Sequence, residues 1–199
     1  MTVRGTPFVN EIKLPVEPPS GSVPPGAPGD FFARVVRHAK TLGAKAVIDT
    51  SGAALAAVLA ESVTVIKPNL IELTELVAAA LEHDEDRIAA CRKLAADRRA
   101  EIVALTLGDQ GALLVTAERP WRALPLQIEA VSTVGAGDSF LGGLVAALTS
   151  GKPLEEAFRV AVAAASAAVR MPGTGMCQPE DVKRLLPEVK IKEIARALV

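Results

Sequence analysis

Between residues 31 and 49 the hydrophobic period of the chain changes. Phe32, Val35, Val36, Ala39 and Leu42 recur three or four positions apart, the spacing of one helix face, and Gly43 offers a stop. Asp30 stands where an N-cap is expected. The run "KAVIDT" that follows is continuously apolar up to Asp49 and predicts a short buried strand. The same alternation repeats: "SGAALAAVLAES" predicts a helix, and "VTVIKPN" a strand ended by Pro68. "LIELTELVAAAL" and "DEDRIAACRKLAADRR" predict two more helices, the second capped by Asp84, before the strand "EIVALTLG". Strands that alternate with helices imply a parallel sheet with right-handed crossovers.

The pattern then changes character. Gly108 and Gly111 punctuate a turn into "ALLVTAE", and "RPWRALPL" predicts a further strand so close behind that this edge of the sheet should be antiparallel. From Gly137 the chain reads as helices: "DSFLGGLVAALTSG", "LEEAFRVAVAAASAAV" and "QPEDVKRLL", the last with Pro and acids at its start. Ahead of all this, residues 1–19 are proline-rich and lack periodicity, so they read as an irregular segment leading into one domain.

Composition narrows the picture. A chain of 199 residues fits a single medium domain. Half of the residues are hydrophobic, but with five Phe, one Trp and no Tyr the core must be built from Ala, Val and Leu. Lys plus Arg is 22 and Asp plus Glu is 23, a net charge of −1 without a single-sign run, which argues against nucleic-acid and membrane-surface partners. Cys91 and Cys177 lack metal-ligand spacing, as expected of a reduced, cytoplasmic protein. The most apolar stretch, Val160 to Val169, lies between two arginines and is too short to span a bilayer.

In an open parallel sheet, ligands collect outside the carboxyl ends of the strands. The segments "DTSG", "KPNLIE" and "LGDQG" share that address, and "STVGAGD" introduces a helix. Gly135, Ala136 and Gly137 let backbone approach a ligand closely, and the N–H groups at a helix start suit a phosphate. Asp138 falls in the same helical turn, where the dipole favours a negative charge. A carboxylate beside an anion site makes chemical sense if a hydroxyl must be oriented and deprotonated there. The plainer alternative is a helix cap. The segment has neither the Gly-Lys-Ser/Thr ending of a P-loop nor a Gly-x-Gly-x-x-Gly fingerprint.

Taken in order, "IKPNLIE", "TLGDQGALLV", "STVGAGDSF" and "MPGTGMC" resemble the ribokinase-like sugar kinases of the PfkB family, and the wording is most similar to the bacterial minor, B-type phosphofructokinase branch. The resemblance runs from about Ser20 to Leu186 and implies an α/β fold, a mostly parallel sheet flanked by helices with an antiparallel edge. It implies ATP and Mg²⁺ as cofactors and a sugar phosphate as acceptor, fructose 6-phosphate before other ketose phosphates. By the match, Asp138 is the catalytic base and Gly135, Ala136 and Gly137 the anion hole.

Asn69 and Glu72 match the motif that orders magnesium through water, although alone they could be a helix cap and its capping-box partner. Lys67 would reach phosphate or be merely solvated. Thr106, Leu107, Gly108, Gly111 and Thr133 match nucleotide contacts, with a plain glycine hairpin as the alternative for the turn. Val162 and Ser166 match positions against adenine or are ordinary helix burial, and Ser22 resembles a sugar-phosphate contact. Oxygens of Ser132, Val134, Ala168, Met171 and Gly173 resemble a site for K⁺; Ser132 stands where many relatives carry Asp.

The family also carries an N-terminal portion with a sugar-binding aspartate, a Gly-Gly motif and a β lid, which residues 1–19 do not resemble. The expectation is a C-terminal portion of the kinase domain, over residues 20–199, lacking the first strands and the lid. It would expose a sheet edge and favour a homo-oligomer or a completing partner. Two functional classes follow: a truncated fructose-phosphate kinase, or a remnant that binds a nucleotide or partner without turnover.

Overall fold

The computed structural model describes residues 8–9, 26–173 and 177–195. Where the length favours one domain, the chain divides into two compact units, one of Met1–Leu105 with Leu114–Pro120 and the other of Thr106–Leu113 with Trp121–Val199. The division follows the change of hydrophobic pattern, from alternating strands and helices to helices in succession.

The first unit holds β1 (Phe8–Val9), α1 (Phe31–Thr41), β2 (Lys45–Ile48), α2 (Gly52–Leu59), β3 (Val63–Ile66), α3 (Leu70–Val77), α4 (Asp84–Ala96) and most of β4 (Ala100–Thr106). Strands β1 to β4 pair in parallel in chain order, with Phe8 opposite Lys45, Val47 opposite Val65, and Val65 opposite Ile102. Every residue of β3 is buried, as expected of a β-branched strand covered on both faces. β1 departs from expectation, because two residues of the segment read as irregular pair with β2.

One expected cap holds its position without a capping bond and the other is corrected. Asp30 is the N-cap of α1 but makes no capping bond; its carboxylate instead accepts from Arg34 at 2.8 Å. Asp84 is not the cap of α4: His83 holds that position, and its N–H donates to Asp86 at 3.1 Å, while Asp84 accepts from the buried Arg87. In both cases a basic side chain three or four residues on competes for the carboxylate. Gly43 does end α1, with φ at +69°.

β5 (Ala112–Val115) and β6 (Pro120–Ala123) lie across the boundary between the units. The second unit continues with α5 (Ala136–Thr149), α6 (Leu154–Ala168), α7 (Pro179–Leu185) and β7 (Ile191–Glu193). β7 pairs antiparallel with β6, Ala123 opposite Ile191, a strand beyond the elements that the pattern predicts. The expected antiparallel edge is present.

Helices α5 and α6 pack closely along a seam of small residues. A Cβ on Gly143 would lie 2.9 Å from the Cβ of Ala164 and 3.2 Å from the Cα of Ala161. Phe140 and Phe158 meet edge-on at 6.2 Å, an arrangement that contributes about 0.5–1.5 kcal/mol beyond area burial. The core is the predicted one of Ala, Val and Leu, with Phe32, Trp121, Phe140 and Phe158 its buried aromatics. Among the described residues no helix is long and apolar enough to cross a membrane.

Candidate functional site

In the first unit the candidate residues stand at the carboxyl ends of β2 and β3. Because Ile48 and Ile66 are paired in register, the residues that follow them are neighbours, and the N–H of Lys67 donates to the carbonyl of Ile48 at 3.1 Å. The Nζ of Lys67 lies 3.1 Å from Oδ2 of Asp49, with the lysine side chain 8% exposed. Lys67 is therefore a buried cation with a carboxylate partner, and the solvated alternative is corrected. Removing one partner of such a pair costs about 3–5 kcal/mol. Asp49 is the residue the sequence reading missed; its signal was an acid directly behind an apolar strand.

Pro68 ends β3 and Asn69 opens α3. The Oδ1 of Asn69 accepts from the N–H of Glu72 at 2.9 Å, and Oε2 of Glu72 accepts from the N–H of Asn69 at 2.8 Å. This is the capping box that the spacing allowed as an alternative. It does not exhaust either side chain. The Nδ2 of Asn69 and Oε1 of Glu72 have no partner among the described residues. Burial pushes the Glu72 carboxyl above its ordinary range, the Asn69 N–H and Lys67 pull it down, and Asp49 and Glu75 push it further up. Asp49 is near enough for its charge to act on Glu72, and carboxylate oxygens are ligands that Mg²⁺ accepts, while among the described residues no group of three or more His, Cys, Asp or Glu side chains could hold a metal ion.

A hollow of about 690 Å³ lies elsewhere in this unit, between Leu59, Leu76, Val77, Leu81 and Leu94, and none of Asp49, Lys67, Asn69 and Glu72 lines it.

In the second unit the candidate chemistry sits on backbone. Gly135 is the N-cap of α5 with φ at +79°, a left-handed conformation that glycine adopts without strain. The N–H of Ala136 is engaged by a turn to Thr133 at 3.3 Å, but those of Gly135 and Gly137 have no acceptor among the described residues. Two donors are thus left at the head of a 14-residue helix, with exposed Asp138 in the same turn. That arrangement can hold an anion beside a carboxylate.

The segment before it is fastened to the end of α6. The N–H groups of Val131 and Ser132 both donate to the carbonyl of Val169, and the Ser132 hydroxyl donates to the carbonyl of Gly173 at 2.9 Å. The N–H of Val134 donates to that same hydroxyl at 3.3 Å. Met171 donates to the carbonyl of Ala168 at 2.9 Å. Ser132, Val134 and Gly173 are brought together, and a carbonyl with two lone pairs can still serve a monovalent cation.

The turn after β4 is built from Leu107 N–H to Gly111 carbonyl, 2.9 Å, and Gly111 N–H to Gly108 carbonyl, 3.1 Å. Thr106 is half-buried and Leu107 buried. In α6, Val162 is 5% exposed and packed in the core, while Ser166 is half-buried. Exposed Thr133 precedes the glycines. Ser22 lies outside the described residues.

Comparison with known proteins shows the family. The model for the pfkB family of carbohydrate kinases matches residues 19–181. The chain is 36% identical over 167 residues to ATP-dependent 6-phosphofructokinase isozyme 2 of Escherichia coli K12, covering 83% of this chain and 54% of that protein. It is 35% identical over 175 residues to 1-phosphofructokinase of Bacillus subtilis, covering 88% and 57%. The crystal structure of phosphofructokinase-2 from E. coli in complex with potassium superposes with a TM-score of 0.81 at 36% identity, over 85% of this chain and 55% of that one. The chain therefore spans about half the length of the curated relatives it matches.

Proposed function

The chain belongs to the pfkB family of carbohydrate kinases, and from that premise we propose that it carries the phosphoryl-transfer machinery of an ATP-dependent fructose-phosphate kinase. The acceptor of first choice is fructose 6-phosphate, giving fructose 1,6-bisphosphate and ADP. The observation that carries this reading is the pair of unengaged N–H groups of Gly135 and Gly137 with Asp138 in the same helical turn.

Phosphoryl transfer depends on positioning and on stabilising charge at the transferring group. The carboxylate of Asp138 accepts the proton of the sugar hydroxyl as that oxygen attacks the γ-phosphorus. The N–H groups of Gly135 and Gly137 bind the phosphoryl oxygens, whose charge must be held as the bond to ADP breaks. Asn69 through Nδ2 and Glu72 through Oε1 order the water around the metal. Mg²⁺, when bound, supplies positive charge to the phosphates. Lys67, held by Asp49, adds a fixed cation at the same strand ends. Thr106, Leu107, Gly108, Gly111 and Thr133 serve the nucleotide, Val162 and Ser166 its base, and the oxygens around Ser132 and Gly173 a K⁺ ion.

A second reading, nucleotide binding without turnover, draws on one observation: the Asn69–Glu72 pair is already engaged as a capping box. One experiment separates the two. The purified chain is assayed for ADP release with ATP and Mg²⁺ against fructose 6-phosphate, fructose 1-phosphate and tagatose 6-phosphate, and for ADP binding by calorimetry. Turnover highest with fructose 6-phosphate supports the kinase. Binding without turnover supports the second reading, alone or with a completing partner, and absence of both overturns the two together.

A further inference from the structure

Beyond its own backbone bonds, the turn of residues 108–111 leans on β6. Gly111 has φ at +91°, and a Cβ there would lie 2.3 Å from the carbonyl oxygen of Ala123 and 3.0 Å from the nitrogen of Pro125. The turn therefore rests directly on the end of β6, backbone against backbone, with the Arg122 guanidinium 3.1 Å from the same point.

One side chain occupies that space. Arg122, half-buried on β6, donates through Nη1 to the carbonyl of Ala123 at 2.6 Å and to that of Ala112 at 3.2 Å, and through Nη2 to the carbonyl of Gln110 at 2.7 Å. Gln110 and Ala112 flank Gly111, so a single guanidinium holds the carbonyls of the residues on either side of this positive-φ glycine and ties them to β6. Bonds from a charged donor to carbonyls are the stronger kind, and only the planar fork of arginine can serve three acceptors at fixed angles; a lysine ammonium is a point charge on a flexible stem.

We propose that Arg122 is a positioning residue for the nucleotide: by clamping the carbonyls of Gln110, Ala112 and Ala123 it holds the Gly108–Gly111 turn in the shape that receives the nucleoside part of ATP. The proposal rests on the reading of that turn as a nucleotide contact. It assigns Arg122 no contact with substrate. Because the phosphates are held by the N–H groups of Gly135 and Gly137, loss of the clamp weakens the nucleoside contribution and spares that of the phosphates.

The test compares two probes on the full chain, ADP and pyrophosphate, each by titration calorimetry. Arg122→Met is expected to weaken ADP binding about tenfold, the size of roughly one charge-assisted hydrogen bond, and to leave pyrophosphate affinity unchanged. The only tryptophan, Trp121, is 6% exposed and adjacent in β6, so its emission maximum should not move if the strand is intact. Unchanged ADP affinity overturns the proposal, and so does equal weakening of ADP and pyrophosphate, which marks a merely structural arginine.

If Arg122→Met does not fold, Arg122→Lys replaces it; that variant keeps the charge and loses the fork, and the same split between probes is expected. A wild-type chain that binds pyrophosphate but not ADP overturns the reading of the turn, and the clamp with it. One that binds neither overturns the proposed function as a whole.

Discussion

Under the proposed function, the cluster at the ends of β2 and β3 and the glycine-headed start of α5 are two solutions to holding phosphate chemistry. In the first, the working atoms are side-chain atoms: Lys67 on Asp49, and the spare Nδ2 and Oε1 left by the Asn69–Glu72 box. In the second they are main-chain N–H groups, made available because Gly135 takes a left-handed conformation and Gly137 lies in the first turn of the helix. The difference teaches where each is vulnerable. Side-chain donors fail by substitution of the residue that bears them. Backbone donors fail only when the chain path changes, so conformation, not chemical identity, is what selection of glycine protects there.

The largest effect sharpens that contrast. Asp138 is the one acid in a segment that otherwise works through backbone, so Asp138→Asn should lower kcat on the order of 10³-fold or more while ADP affinity stays the same. Steady-state kinetics with ADP calorimetry checks both halves. Near-normal turnover would sink the base assignment, and lost ADP binding would mean that the carboxylate supports the loop it sits in.

Conformation can be tested directly in the turn after β4. Gly111→Ala meets both a φ of +91° and the Ala123 carbonyl at 2.3 Å and should cost about 3 kcal/mol or more. Gly108→Ala meets a φ of +61° and open space, and should cost about 1 kcal/mol. Urea denaturation separates the two. Equal costs would show that φ alone governs this turn and that the close approach to β6 contributes nothing.

The contrast also explains what could be read from sequence. Gly-Ala-Gly ahead of an acid was legible as an anion site or a helix cap, and it was the order of motifs that led to the right family and fold class. The sequence pattern placed every strand from β2 to β6, and most securely β2, β3 and β4, since buried parallel strands are largely apolar runs. β7 escaped because Ile191–Glu193 is a half-exposed edge with no such run, paired only through β6. Side-chain chemistry was harder to see. Asn69 and Glu72 do act as a capping box, and nothing in their spacing says that each keeps an atom in reserve. The partnership of Asp49 and Lys67 spans 18 positions and exists only because two strands end in register. Arg122 looked like any strand arginine until its carbonyl partners were in view.

The smallest expected effect bears on whether the side-chain cluster holds strain that the backbone cradle lacks. The Glu72 carboxyl is raised above its ordinary range chiefly by burial, with the N–H of Asn69 and the charge of Lys67 only partly offsetting it. A raised carboxyl binds its proton more tightly in the folded chain than in the unfolded one. Its contribution is therefore fully present below the ordinary glutamate value near 4.5 and is lost as pH rises through the folded value. At neutral pH the ionised group is a liability to folding. Glu72→Gln retains an oxygen for the Asn69 N–H and removes that liability, so its Tm at pH 7 should exceed that of the wild type by at most a few degrees, and the gap should close as pH falls below that value. The same substitution should weaken the dependence of turnover on Mg²⁺, since Oε1 would no longer carry charge. A Gln variant less stable than the wild type at pH 7 would show that attraction to Lys67 outweighs burial, and the cluster would then be a stabilising network and not a site held at a cost.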